Sequence, residues 1–165
     1  MSTLKVNSII PVAGVPTGGG GGITQIKQAV KTDTSSTTST SFTDVSGLSV
    51  SMTATSSTNK FLIICNVAAA CDFDSFLRLL KDSSEIGSGT GGSSENGFGV
   101  VRQAQTNQVV QYCITFLETA GDTSEHTFKV QFRASNSSNN IVINRRELDS
   151  AFGVSSSITV MEVSA

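Results

Sequence analysis

From residue 127 to 133 the order TFKVQFR alternates polar and apolar side chains without a break. In an extended chain successive side chains leave opposite faces, so Phe128, Val130 and Phe132 are expected to point together into a core. The same period of two runs through LSVSMT (48–53) and SITVMEV (157–163), each a strand with one polar face. ITQIKQAVK (23–31) and QVVQYCITFLE (108–118) follow it less strictly and are also read as strands.

Two segments are apolar in both phases. FLIICNVAAA (61–70) suits a central strand covered on both faces; a buried helix is the alternative, and its β-branched residues and flanking turn signals favour the strand. SFLRLLKD (75–82) contains good helix formers but is too short to stand alone, and the following Ser83-Ser84 suggests a strand entering a hairpin. The hydroxyl-rich run TDTSSTTSTS (32–41) is read as a loop with strand-like ends, and SGTGGSSENGFG (88–99) as a long exposed loop. Asn and Ser residues over 136–140 supply turn chemistry before the short apolar run at 141–143. The pattern amounts to eight or nine short strands and no helix of useful length. It predicts an all-β chain, an antiparallel two-sheet β-sandwich that is jelly-roll-like, with a barrel as the alternative.

The N-terminus breaks this pattern. Five glycines, Gly18 to Gly22, separate STLKVNSIIPVAGVP from the first predicted strand. Glycine offers nothing to bury and loses the most backbone freedom on ordering, so the run reads as a spacer. Ahead of it Leu4, Val6, Ile9, Ile10 and Val15, with Pro11 and Pro16, give an extended peptide with a few apolar anchors, suited to docking on another protein. The domain reading is therefore an anchoring arm over 1–22 and a sandwich over 23–165.

Composition narrows the function classes. Charged residues are 15% of the 165, the net charge is −2 and the pI about 5.3, which leaves no electrostatic footprint for nucleic acid or an anionic membrane. No apolar stretch approaches the roughly 20 residues that cross a bilayer, and the N-terminus has no signal-peptide apolar region, so synthesis in the cytoplasm is expected. Three cysteines, Cys65, Cys71 and Cys113, lie in or beside apolar runs and read as small buried hydrophobes in a reducing compartment.

Candidate chemistry is sparse. Gly87, Gly89 and Gly92 match the spelling of a dinucleotide-binding loop, but no helix pattern follows to receive a pyrophosphate, so the match reads as surface loop. His126 is the only histidine and is expected at an exposed or edge position; with no nucleophile elbow beside it, no enzyme is predicted. Asp72 and Asp74 offer two carboxylates where calcium needs many more oxygen ligands, so a turn is expected. Arg145, Arg146, Glu147 and Asp149 read as an exposed loop that pairs with itself or with a neighbouring subunit, and Asn136 begins a glycosylation sequon by spelling only. No catalytic, cofactor-binding or metal-binding residue is assigned.

Several blocks resemble small virion structural proteins of tailed bacteriophages, especially those of marine and cyanobacterial phages. They are MSTLKVNSIIPVAGVPTGGGGGI at the start, TDTSSTTSTSFTDVSGLSVSMTATSSTNKFLII, RLLKDSSEIG and TFKVQFRAS within, and SSSITVMEV at the end. The likeness covers nearly the whole chain and is weakest over 83–110. It implies a component of the virion, made in the bacterial host cytoplasm, held by the arm to other tail or capsid proteins and assembled as a homotrimer. A tail-fibre or receptor-contacting module is the leading expectation, with Ser88, Thr90, Ser93, Ser94, Glu95 and Asn96 facing a host receptor or glycan. A capsid decoration (cement) protein is the alternative. A cell-surface polysaccharide hydrolase would need a carboxylate pair in a groove.

Overall fold

The computed structural model describes residues 22–92, 96–102 and 108–165. All regular structure among them is strand: β1 (Ile23–Lys31), β2 (Ser35–Thr37), β3 (Thr43–Thr53), β4 (Lys60–Cys71), β5 (Ser75–Lys81), β6 (Ser84–Ile86), β7 (Gly99–Val101), β8 (Val110–Thr119), β9 (Glu125–Ala134), β10 (Ile141–Ile143) and β11 (Ser156–Val163). Every pairing is antiparallel.

Two sheets result. In the first, β4 pairs β8 along one edge and β11 and then β10 along the other, while β1 and β2 lie beyond β11 and β10. In the second, β9 lies between β3 and β5, and β5 carries β6 and β7 end to end on its far side. Three lanes are thus filled by two strands each, and eleven strands make eight lanes. Numbered along the chain, the lanes read 1-8-3-6 in one sheet and 2-7-4-5 in the other. Successive lanes fall in opposite sheets as far as the fourth, which is the jelly-roll arrangement of two interleaved Greek keys.

The alternation dictates the core. Val45, Leu48, Val50 and Met52 of β3, and Phe128, Val130 and Phe132 of β9, face Phe61, Ile63, Cys65 and Val67 of β4 and Ile158 and Val160 of β11, all buried. Phe61 and Phe128 meet edge to face across the sheets at 5.1 Å. At one end, Glu162 of β11 is wholly buried, with no cation paired to it among the described residues. It accepts bonds from Gln25 Nε2, Asn59 Nδ2, Thr55 Oγ1 and the Thr55 N–H. Burial pushes this carboxyl up, but the four donors outweigh that and pull it down to about 2.

The strand count exceeds the expected eight or nine because β2, β6 and β7 are three residues each and leave little periodic trace. β2 lies within the hydroxyl-rich run read as a loop, and β3 starts five residues ahead of the predicted 48. SFLRLLK is the strand of a hairpin, as expected. β4 departs from its prediction in one respect: both faces are covered only from Val67 onward, whereas Leu62 and Ile64 are half-buried and Asn66 is exposed.

Two of the longer connections join strands of one lane: that between β6 and β7, and 144–155 between β10 and β11. Asn144 anchors the second. Its left-handed backbone (φ 66°) suits asparagine, and its buried amide donates to the Lys31 and Asp33 carbonyls while accepting from Ser156 Oγ. Both double lanes of the first sheet are tied together there.

Candidate functional site

The outward side chains of the two sheets differ in kind. On the first sheet, register aligns Ile26 of β1 with Met161 of β11, Leu62 of β4 and Leu117 of β8 in one transverse apolar row. Ile26 is 56% exposed and Leu117 50%; Leu62 and Met161 are half-buried. The next row holds Gln28, Thr159, Ile64 and Thr115, and the one after it Val30, Ser157, Asn66 and Cys113. Across these rows the only ionisable group is the Cys113 thiol, and Lys60 stands in the row adjoining Leu62. Past them the Gln111 amide reaches the Ser155 carbonyl at 3.5 Å, so the 144–155 loop returns against that end of the face.

The second sheet is charged and internally bonded. Arg78 on β5 lies over the Phe42 ring at 4.0 Å, donates from Nε to Gln131 Oε1 at 2.8 Å, and meets Glu85 at 3.5 Å. Gln131 and Lys129 on β9 both reach the Asp44 carboxylate, which holds that carboxyl below its ordinary pKa. Arg133 stacks over Phe76 at 4.5 Å and Phe42 at 5.2 Å and donates to the Thr40 carbonyl.

The predicted glycine loop forms a hollow of about 270 Å³ lined by Glu85, Gly87, Ser88, Gly89, Thr90 and Asn96. Two glycines are required for its shape. Gly87 has φ +67°, and a Cβ there would stand 2.9 Å from Ile114 Cδ1; a Cβ on Gly97 would fall 2.4 Å from the Leu77 carbonyl oxygen. Ser88, Thr90 and Asn96 of the predicted receptor-facing set are therefore brought together, with Glu85 as an addition from β6. Ser93, Ser94 and Glu95 lie outside the described residues. The Ser88 hydroxyl is buried and has no hydrogen-bond partner among the described residues. Hydroxyls, an amide and one carboxylate over a glycine floor can exchange hydrogen bonds with a polyhydroxylated ligand. All seven expected anchoring residues, Leu4, Val6, Ile9, Ile10, Pro11, Val15 and Pro16, lie outside the described residues.

His126 corrects an expectation. It is 7% exposed, on a strand flanked by β3 and β5, because Nδ1 meets Asp82 Oδ2 at 2.8 Å, Nε2 lies 3.2 Å from Asp122 Oδ1, and its ring packs on Phe61. Burial pushes the Asp82 carboxyl up, but the Thr127 N–H and His126 outweigh it and its pKa is lowered. Both imidazole nitrogens thus face carboxylates, and Ser124 Oγ donates to Asp122 and not to the ring. Cys113 corrects another: it is exposed, while Cys65 and Cys71 are buried and burial pushes the Cys65 thiol up to about 12. Asp72 accepts the Asn140 N–H and Asp74 pairs with Arg102 at 3.3 Å, so the two carboxylates serve different neighbours. No group of three metal-ligating side chains gathers among the described residues. Arg146 and Asp149 pair within their own loop.

The outward row of Ile26, Leu62, Leu117 and Met161 was not predicted as a site. Its signal was the doubly apolar phase of QVVQYCITFLE and FLIICNV, where one face packs inward and the other does not. Compared with known proteins, the chain matches no family model, and no curated protein matches its sequence.

Proposed function

We propose that the chain is a structural component of a phage virion, a tail-fibre or receptor-contacting module whose sandwich is held to the particle by residues 1–22. The observation that carries this reading is the polar hollow that Glu85, Ser88, Thr90 and Asn96 form beside an edge lane of a jelly roll. The jelly roll is an architecture shared by capsid and lectin domains, an analogy of fold and not of chemistry. The hollow's hydroxyl, amide and carboxylate groups favour a glycan on the host surface over a nucleic acid or a lipid. The sequence likeness to small virion proteins supports the same reading.

The test is adsorption. Particles carrying Ser88→Ala, Thr90→Ala and Asn96→Ala together are expected to assemble normally and lose host binding. Unchanged adsorption by such particles overturns the receptor role. Labelling of the chain over the whole capsid shell, and not at the tail, would establish the decoration protein instead. A second test addresses the arm: removal of residues 1–22 is expected to abolish incorporation into particles, and normal incorporation rejects anchoring by that segment.

A further inference from the structure

The outward face of the β1–β11–β4–β8 sheet has the composition of an interface and is left uncovered by the described residues over most of its length. We infer that it is the surface through which copies of this chain associate, with a second copy of the same face as occupant.

The charge pattern selects that occupant. A face that meets its own copy sets each charge against a like charge unless the two are offset, and like charges in contact oppose association. Here the outward rows from Ile26 to Cys113 carry no carboxylate, ammonium or guanidinium group, so the conflict does not arise. A strongly charged partner finds no ionic partner within these rows. The polar positions in these rows are Gln28, Thr159, Thr115, Ser157 and Asn66, hydroxyls and amides that both donate and accept, and such groups satisfy copies of themselves. The opposite sheet lacks this property, since two copies would bring Arg78, Arg133 and Lys129 face to face.

The size is adequate. Four lanes about 4.8 Å apart and eight residues at about 3.3 Å each, a span that takes in the Lys60 row beside the three neutral ones, give a flat area of roughly 500 Å², hence about 1,000 Å² for a pair before side-chain relief. That reaches the ~1,000 Å² expected of a specific interface. The row of Ile26, Met161, Leu62 and Leu117 crosses all four lanes and supplies the apolar centre that such interfaces place inside a polar rim.

The test needs only the purified full chain, so its outcome is independent of the virion reading. Sedimentation velocity is expected to show an oligomer that dissociates on dilution. Cys113, the sole exposed thiol among the three cysteines, becomes more reactive toward a maleimide as it does so. Leu117→Glu is expected to weaken association by about tenfold or more, while Val100→Glu, at a 57% exposed site on β7, leaves it unchanged. Should Leu117→Glu misfold, Thr115→Lys on the same face replaces it. A chain that stays monomeric with Cys113 reactive at every concentration overturns the inference, as does an oligomer indifferent to both variants. A monomer whose Cys113 is protected assigns the face to residues 1–21 of its own chain and overturns it equally.

Discussion

The two outer faces of the sandwich obey one alternation and are built from opposite chemistry. On the β3–β9–β5 sheet the long side chains bond to one another: Arg78 to Gln131, Gln131 and Lys129 to Asp44, Arg133 across Phe42 and Phe76. On the β1–β11–β4–β8 sheet the outward groups are short or apolar, and the row through Leu62 and Leu117 has no cover in the chain's described residues. A sheet must settle the exposure of its second face somehow. One sheet does so internally with charge and stacking, and the other presents a surface that another molecule can complete. The contrast makes a measurable claim: substitutions on the charged face act on the stability of the isolated domain, and substitutions on the neutral face act on assembly.

The interior sets the scale for that claim. Glu162 binds donors from β1 and from the turn joining the two sheets, so its loss strikes both faces alike. Its carboxyl lies at about 2 in the fold against an ordinary 4.5. A depressed folded pKa gives stability that is fully present above pH 4.5 and drains away as pH falls through 4.5 toward 2. The contribution is on the order of 3 kcal/mol. Urea midpoints measured across that window are expected to fall steeply for the native chain, and Glu162→Gln, itself destabilised at neutral pH, is expected to flatten the curve. An unchanged acid slope in the variant would remove Glu162 as the cause.

Asn144 comes next, at the end of the neutral sheet where both double lanes are tied. Asn144→Ala strands the Lys31 and Asp33 carbonyls and the Ser156 hydroxyl and places a Cβ residue without a compensating side-chain bond at φ 66°. A loss of about 2–3 kcal/mol is expected by equilibrium unfolding. A cost under about 1 kcal/mol would mean that the neutral sheet is not pinned at this point.

What could be read in advance divides along the same physical line. The strict alternation of TFKVQFR and LSVSMT was legible because core burial is a local, periodic property, and Phe128, Val130 and Phe132 are buried where that period puts them. The glycine loop was legible through the freedom its residues require, and Ser88, Thr90 and Asn96 do meet in one hollow. His126 was not, because its burial depends on Asp82, 44 residues away in sequence, arriving on the hairpin turn of β5 and β6. β2 was not, because Ser and Thr in a short strand bury too little apolar surface to stand out from a polar loop. The apolar run of β4 was read as covered on both sides, yet hydrophobicity alone cannot distinguish a face covered by its own chain from one kept for another.

On the charged face, Arg78→Ala is expected to cost about 1–2 kcal/mol, from loss of the Phe42 stack and the bond to Gln131. The half-exposed Glu85 pair adds little, since ion pairs open to water are worth at most ~1 kcal/mol. Arg78→Lys should recover little, because an ammonium offers no plane to lay on the ring. If Arg78→Ala proves neutral in thermal unfolding, the charged face is not the self-contained half of the comparison.

The smallest effect carries the sharpest distinction. Leu117 is half-exposed on an edge strand, in register with Leu62, and Leu117→Thr exchanges its isobutyl group for a β-branched residue that suits a strand. Measured on chain dilute enough to be dissociated, unfolding of this variant is expected to differ from the native chain by less than about 0.5 kcal/mol, the range of surface substitutions. At higher concentration the same variant should unfold earlier than the native chain, because a partner that binds only the folded state stabilises it by mass action, and the weaker interface forfeits that gain. A penalty above about 1 kcal/mol in the dilute chain would show Leu117 packing within its own fold and erase the difference between the two faces.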